Sequence, residues 1–352
     1  MKITVENTKE KNPNIKPYLV DVPVMIMVWC RPKLQKLQFD VIRQARPSRL
    51  FIVSDYGRNA QENSQIEESR KILEVVDWEC EIHRLYWNEN QGMYATGRYS
   101  QKYFWNHVEY GIFLEDDIIP AVSFFRFCQE LLMKYKDDKR ILGICGMNHL
   151  EEYDSPSGDY FFAHVASIWG IAYWKRTYDS FENYQETIDS YTIREVSKIA
   201  NKDTYFCKAM RGYAEKDVWD GHVAGPEFYL SLNVYAGNQL WIVPKKNMIS
   251  CYGCESGSTH AVDSIKKMAK GDAQMFCMKT YDLNKDIMHP NYVFPDLTYE
   301  KKMKRATAWH HPIVAKHRRI VGICKRLYYG DGKILWNNFI KRIRKKGKVY
   351  EN

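Results

Sequence analysis

No run of about 18 apolar residues occurs in this 352-residue chain, which excludes a conventional transmembrane helix. The N-terminal stretch "MKITVENTKEKNPNIKPYLV" lacks the continuous apolar segment of a secretory signal, so the chain is expected in the cytosol. There is no G-x-G-x-x-G after the first apolar strand and no G-x-x-x-x-G-K-[ST] anywhere, which disfavours a dinucleotide fold or a P-loop. Cysteine is present, with nine residues, but the pairing that would give it a role is missing. Only Cys251 and Cys254 form a C-x-x-C, without a second pair or a His pair at zinc spacing, so reduced core thiols and loop residues are expected rather than a disulfide framework or a zinc site. Acidic residues are scarce in one region. Of the 52 Lys and Arg, eleven fall in residues 317–352, and of the 43 Asp and Glu only two, which leaves the rest of the chain balanced at 41 of each sign.

What is present is a core. With 45% hydrophobic and 14% aromatic residues the chain can bury one large domain, and no internal repeat or low-complexity linker divides it. "VPVMIMVW" (Val22 to Trp29) is a continuous apolar run of strand length, as for a strand covered on both faces. "RPKLQKLQFDVIRQA" follows with Leu34, Leu37, Val41, Ile42 and Ala45 on one helical stripe and Pro32 at a helix start. "RLFIVSD" (Arg49 to Asp55) is a second buried strand. A helical segment around Ile66 to Val76, the alternating "WECEIHRLYW", a further helix before Gly111, and the strands "GIFL" and "ILGICG" continue the pattern. Strands alternating with helices at this spacing predict an open, mostly parallel α/β sheet, in which ligands gather at the carboxyl ends of the strands.

Those ends carry chemistry. Arg31 follows the first strand, Asp55 ends the second, and the triplet Glu115, Asp116, Asp117 interrupts the apolar stretch "GIFLEDDIIPAVSFF". Three like charges repel and cost several kcal/mol if buried unpaired, so a positive partner is expected there. An arginine for phosphate, a carboxylate for a base or ribose, and an acidic cluster for a hard divalent cation together describe a nucleotide site without a P-loop.

At these residues the chain resembles a family. "VMIMVWCRP", "LFIVSDYG" and "GIFLEDDIIPAVSFFRFCQELLMKYKDDKRI", in that order, resemble the GT-A nucleotide-sugar glycosyltransferases. The bacterial branch labelled hemolytic-protein-like sugar transferases is the nearest in pattern, and the eukaryotic β1,2-N-acetylglucosaminyltransferase family is similar. Pro120, Phe124 and Phe125 stand where that family follows its D-x-D variant with a proline and a paired-Phe helix. "SIWGIAYWKR" resembles its Trp-Gly strand, and "WIVPKKNMIS" with "GSTH" its V-P-x-x-N segment closing in Thr-His; the likeness runs from about Val22 to His260. It implies a GT-A (Rossmann-like) open mixed, mostly parallel sheet flanked by helices, with a C-terminal helical basic extension. The expected divisions are an irregular N-terminus over 1–20, a catalytic domain over 21–262, an extension packing on it over 263–316, and a basic amphipathic tail over 317–352.

The resemblance also implies roles. Asp117 would be a direct ligand of Mn²⁺ or Mg²⁺, with His260 a further metal or diphosphate ligand. Side chains alternate along an extended segment, so Glu115 and Asp117 would face one way and Asp116 the other, with Asp117 on the metal and Glu115 and Asp116 on the donor's sugar or ribose hydroxyls. Arg31 would meet the nucleotide or its phosphates and Asp55 the base. Asn90 and Gly92 match a family loop near the donor. Asn148 and Trp169 would line the sugar and acceptor cleft, their other readings being a turn residue and a core residue. Inverting transfer needs a general base. Glu227 stands where the bacterial branch shows Trp-Asp, though a helix start after Gly225-Pro226 also favours a carboxylate; Asp220 keeps the Trp-Asp pair seven residues earlier, and the choice stays open. The activity implied is transfer of a sugar from a nucleoside diphosphate, UDP being the expected nucleotide, to a glycan or lipid-linked acceptor in cell-surface polysaccharide synthesis. A metal-dependent phosphoester or diphosphate hydrolase and a non-catalytic nucleotide-sugar-binding protein are the alternatives. "KILWNNFIKRIRKK" gathers Ile334, Leu335, Trp336, Phe339, Ile340 and Ile343 near one helical face, with basic residues at its end. It suits peripheral docking on the anionic inner face of the cytoplasmic membrane better than a nucleic-acid arm or a solvated tail.

Overall fold

A computed structural model describes residues 1–182, 190–200, 226–254, 264–283, 286–308, 312–337 and 340. Its centre is a nine-stranded sheet built from β1 (Lys2–Asn7), β2 (Val20–Val28), β3 (Pro47–Ser54), β4 (Glu81–Tyr86), β5 (Tyr110–Leu114), β7 (Ile141–Cys145), β8 (Tyr160–Ala163), β9 (Ile171–Trp174) and β10 (Leu240–Pro244), in the order β1-β4-β3-β2-β5-β9-β7-β10-β8. A small second sheet pairs β6 (Ile118–Pro120) with β11 (Ile249–Cys251). The parallel pairings β4-β3-β2-β5 and β7-β10, with β9 antiparallel to both its neighbours, give six strands one direction; β1, β8 and β9 oppose them. The sheet is therefore mixed and mostly parallel, as expected, and the carboxyl ends of β2, β3, β4, β5, β7 and β10 share one edge.

Helices cover the sheet where the sequence places them. α2 (Pro32–Ala45) starts on Pro32, whose fixed φ and missing N–H suit a first helical position, and α5 (Ser123–Lys134) buries Phe124, Phe125, Phe127, Cys128, Leu131 and Leu132 completely or nearly so. α3 (Ala60–Ile72) and α4 (Met93–Trp105) follow β3 and β4. Among the described residues none of Cys30, Cys80, Cys128, Cys145, Cys251, Cys254, Cys277 and Cys324 forms a disulfide, and Cys207 lies outside them.

Three expectations need correction. Residues 1–20 are not simply irregular: β1 joins the sheet edge antiparallel to β4, with Ile3 opposite Leu85, and α1 (Thr8–Lys11) follows, capped by the Asn7 side chain. Ile3 and Val5 stay exposed, so main-chain pairing rather than side-chain burial holds this strand, and apolar patterning could not announce it. The buried stripe of α2 is turned from the expected one: Gln35, Gln38, Phe39, Ile42 and Ala45 face inward while Leu37 is 52% exposed. The boundary at residue 316 falls inside the helix Pro312–Tyr328; of the tail beyond 337, only residue 340 is described. Among the described residues no helix is long and apolar enough to cross a membrane.

Candidate active site

Because β2 lies between β3 and β5, the residues after these three strands meet at one edge. Arg31, the residue at which α2 begins, donates from Nη1 to Asp116 Oδ1 at 2.8 Å and Asp117 Oδ2 at 3.2 Å. These side chains are only 17%, 12% and 13% exposed. The positive partner expected for the acidic triplet is thus, in the chain itself, a guanidinium. The triplet is not extended: Ile118 N–H donates to Glu115 O at 3.2 Å, closing a turn, so strand alternation does not apply. Asp116 and Asp117 both turn to Arg31 and Glu115 is exposed, which corrects the expected division of faces.

The turn is held from behind by two residues that apolar periodicity passes over. The Gln38 amide, wholly buried, donates to Glu115 O at 2.6 Å and Ile118 O at 2.7 Å, and Gln35 donates to Gln38 Oε1 at 2.9 Å. Their signal was a pair of glutamines three apart on a helix next to an acidic turn. From the front, Tyr252 N–H donates to Asp117 O at 2.8 Å, and a Cβ at Gly253 would lie 2.4 Å from Asp117 Oδ2. The absence of a side chain there lets the loop after β11 lie against the carboxylate.

Burial raises the Asp116 carboxyl to about 6; Arg31 pulls it back and the neighbouring Asp117 adds to the rise. For Arg31, burial works against the charge, but the two carboxylates outweigh it and raise its pKa. Burial, then Glu62 and Asp116, push the Cys30 thiol up to about 11, so it is an inert neighbour rather than a nucleophile. Asp116 Oδ2 is buried without a hydrogen-bond partner among the described residues. The arrangement can hold an anion at Arg31 and a hard cation at the carboxylates, but not both unless the ion pair opens.

Asp55, the residue after β3, organises a loop beside it. Its Oδ1 accepts from the N–H of Tyr56 at 2.8 Å and of Gln91 at 3.0 Å, its Oδ2 from the N–H of Gly92 at 2.9 Å and Asn90 Nδ2 at 3.3 Å. Asn90 also donates to Tyr56 O at 2.6 Å, and Gly92 takes φ +83°, where a side chain would be strained. Asp55, Asn90 and Gly92, named separately by the sequence, are therefore one unit, in which the carboxylate fixes the loop. Arg70 braces it, donating to the carbonyls of Ser54, Asp55 and Trp87 while lying over the Tyr86 ring; its place in a polar helix gave no hint of this.

Asn148 does not line a cleft, which corrects that expectation. It is fully buried, donates to Pro244 O at 3.0 Å and Lys245 O at 2.9 Å, and accepts from Leu150 N–H at 3.0 Å, so it ties the end of β7 to that of β10. Trp169 is half-buried at the start of β9 and packs on Phe276 at 5.3 Å. Asp220 and His260 lie outside the described residues. Glu227 is in the first turn of the helix Pro226–Ala236, with its side chain outside them. Among the described residues no three His, Cys, Asp or Glu side chains converge as a metal cage.

No family model matches the chain. No curated protein matches it in sequence. Among solved structures it is similar to residues 1–349 of S. aureus TarS, with a TM-score of 0.35 and 8% identity over 66% of this chain and 60% of that one.

Proposed function

We propose that the chain is a metal-dependent, inverting glycosyltransferase that moves a sugar from a nucleoside diphosphate, UDP being the expected one, to a hydroxyl of a glycan or lipid-linked acceptor in cell-surface polysaccharide synthesis. One observation carries the reading: Arg31, Asp116 and Asp117 meet at the carboxyl edge of the parallel strands, beside the loop that Asp55 fixes. That edge is where open α/β sheets hold ligands, and a guanidinium against paired carboxylates is the charge pattern that a diphosphate with its cation would complement.

The residues fit a divalent cation. Mg²⁺ and Mn²⁺ take hard oxygen donors and commonly use one or two carboxylates together with substrate phosphates. Asp116 Oδ2 lacks a hydrogen-bond partner among the described residues. Asp117 and Asp116 would hold the ion, with His260 as a further ligand; when bound, it neutralises charge on the departing diphosphate. Arg31, released from the carboxylates, would hold a phosphate oxygen through a charge-assisted bond. The loop of Asn90 and Gly92 would border the donor, and Trp169 would offer the acceptor an apolar wall. Glu227, or Asp220 in its place, would take the proton from the attacking hydroxyl.

Titration calorimetry with UDP, GDP and CDP in the presence of Mn²⁺ tests the reading. Binding of one nucleotide, abolished by Asp117→Ala, is expected. If none of the three binds, or Asp117→Ala binds as the parent does, the reading fails. Product formation that depends on an added acceptor distinguishes transfer from hydrolysis.

A further inference from the structure

The helix Pro312–Tyr328 has its polarity reversed. Its inward side carries charges: Arg318 pairs with Asp272 at 3.2 Å and donates to Ala306 O at 2.6 Å, Lys325 donates to Met268 O at 2.9 Å, and Arg326 shares Asp331 with Lys267 at 3.1 and 2.8 Å. Its outward side carries the large apolar residues. Ile313, Ile320 and Leu327, 75%, 53% and 54% exposed, stand seven apart and so fall on one stripe, which Ile323 and Tyr328 widen. Lys316 and His317, one turn on from Ile313, stand among the stripe residues and Arg319 at its edge, and no Asp or Glu occurs from Pro312 to Gly330. A surface helix of a globular protein places these faces the other way round, and large apolar residues displayed in a row mark a contact surface.

Charge selects the occupant. A second copy of the chain would set the same cations against each other, with no acid on the face to answer them. An anionic bilayer accepts the isoleucines below its headgroups and pairs with the cations on and beside the same face. We propose that this face of the helix Pro312–Tyr328 binds an anionic lipid surface, apolar stripe inward. Ile334 and Trp336, 51% and 63% exposed, follow in the chain, and the sequence beyond adds Lys341, Arg342, Arg344, Lys345, Lys346 and Lys348.

Flotation of the full chain tests this, with vesicles of equimolar phosphatidylglycerol and phosphatidylcholine set against phosphatidylcholine alone. The parent is expected to float with the anionic vesicles only. Ile320→Ser with Leu327→Ser, a neutral change at exposed positions, is expected to lower apparent partitioning at least about tenfold, with the circular dichroism spectrum and Tm unchanged. The proposal is overturned if the double variant floats as the parent does, which would leave tail charge alone as the cause. It is equally overturned if the parent binds both vesicle types alike or neither, or if light scattering shows a parent dimer that the double variant loses.

Discussion

Arg31 sits at the N-terminus of α2, the end of a helix that disfavours a cation, and is more than four-fifths buried. Only Asp116 and Asp117 make that position tolerable, and they in turn depend on it. Arg31→Ala should leave two carboxylates short of their counter-ion in a nearly dry turn and lower stability by about 3 kcal/mol in urea melts near neutral pH; a loss below about 1 kcal/mol would show the pair to be solvated and loosely held. His149, four residues past the end of β7 and buried, makes a separate prediction. Burial depresses its pKa from 6.5 to about 4. Between those values the unfolded chain binds a proton that the folded chain refuses, so the stability due to neutral His149 is complete above 6.5 and declines as pH falls toward 4. From about pH 7.5 to about pH 5 the loss should be about 2 kcal/mol. His149→Gln, neutral throughout, should flatten that part of the urea-midpoint profile; an unchanged slope would assign it to other groups.

At the scale of elements, the acidic turn depends on what clamps it. Gln38 satisfies two carbonyls of the turn at once, so Gln38→Leu should leave both unpaired and cost roughly 2–4 kcal/mol, while loosening the carboxylates and weakening nucleotide binding. If the variant melts like the parent, the clamp is not what orders the turn. Gly253→Ala attacks from the other side. Its methyl must displace the Asp117 carboxylate, so Mn²⁺ affinity should fall in calorimetry more than the Tm does, and parental affinity would show that Asp117 is not used where it stands. These clamps also mark where sequence reading stops. β2, β3 and β5 are apolar runs bounded by polar residues, so Arg31, Asp55 and the triplet were legible as strand ends. The stripe of α2 was not, because hydrophobic periodicity counts Leu37 as core and Gln38 as surface. Hydrogen bonding to a turn 77 residues away reverses both.

At the scale of the whole molecule, parallel direction was legible from the alternation of strands and helices, but neighbour relations were not. β9 enters antiparallel between β5 and β7, and β1 reaches the far edge by main-chain pairing and the Glu6–Arg84 ion pair, without burying apolar side chains. That order matters because it sets β2 between β3 and β5 and brings one guanidinium against two carboxylates, a net charge of −1 with all three ionised. A divalent cation added alone would reverse that charge and leave Arg31 facing a positive neighbour. A diphosphate added alone, with its roughly two negative charges, would meet carboxylates already repelling it. Together they restore the balance, Arg31 turning from the carboxylates to the phosphate. Coupling between two ligands is reciprocal, so each should tighten the other by the same factor. Calorimetry should therefore give a Kd for Mn²⁺ at least about fivefold lower with saturating UDP than without it, and the converse factor for UDP should agree. Arg31→Ala should shrink the coupling, because the charge that the nucleotide draws away is then missing. Independent affinities in the parent would show that Arg31 keeps its carboxylates when ligands bind, and that the ion pair is a structural support rather than an exchange site.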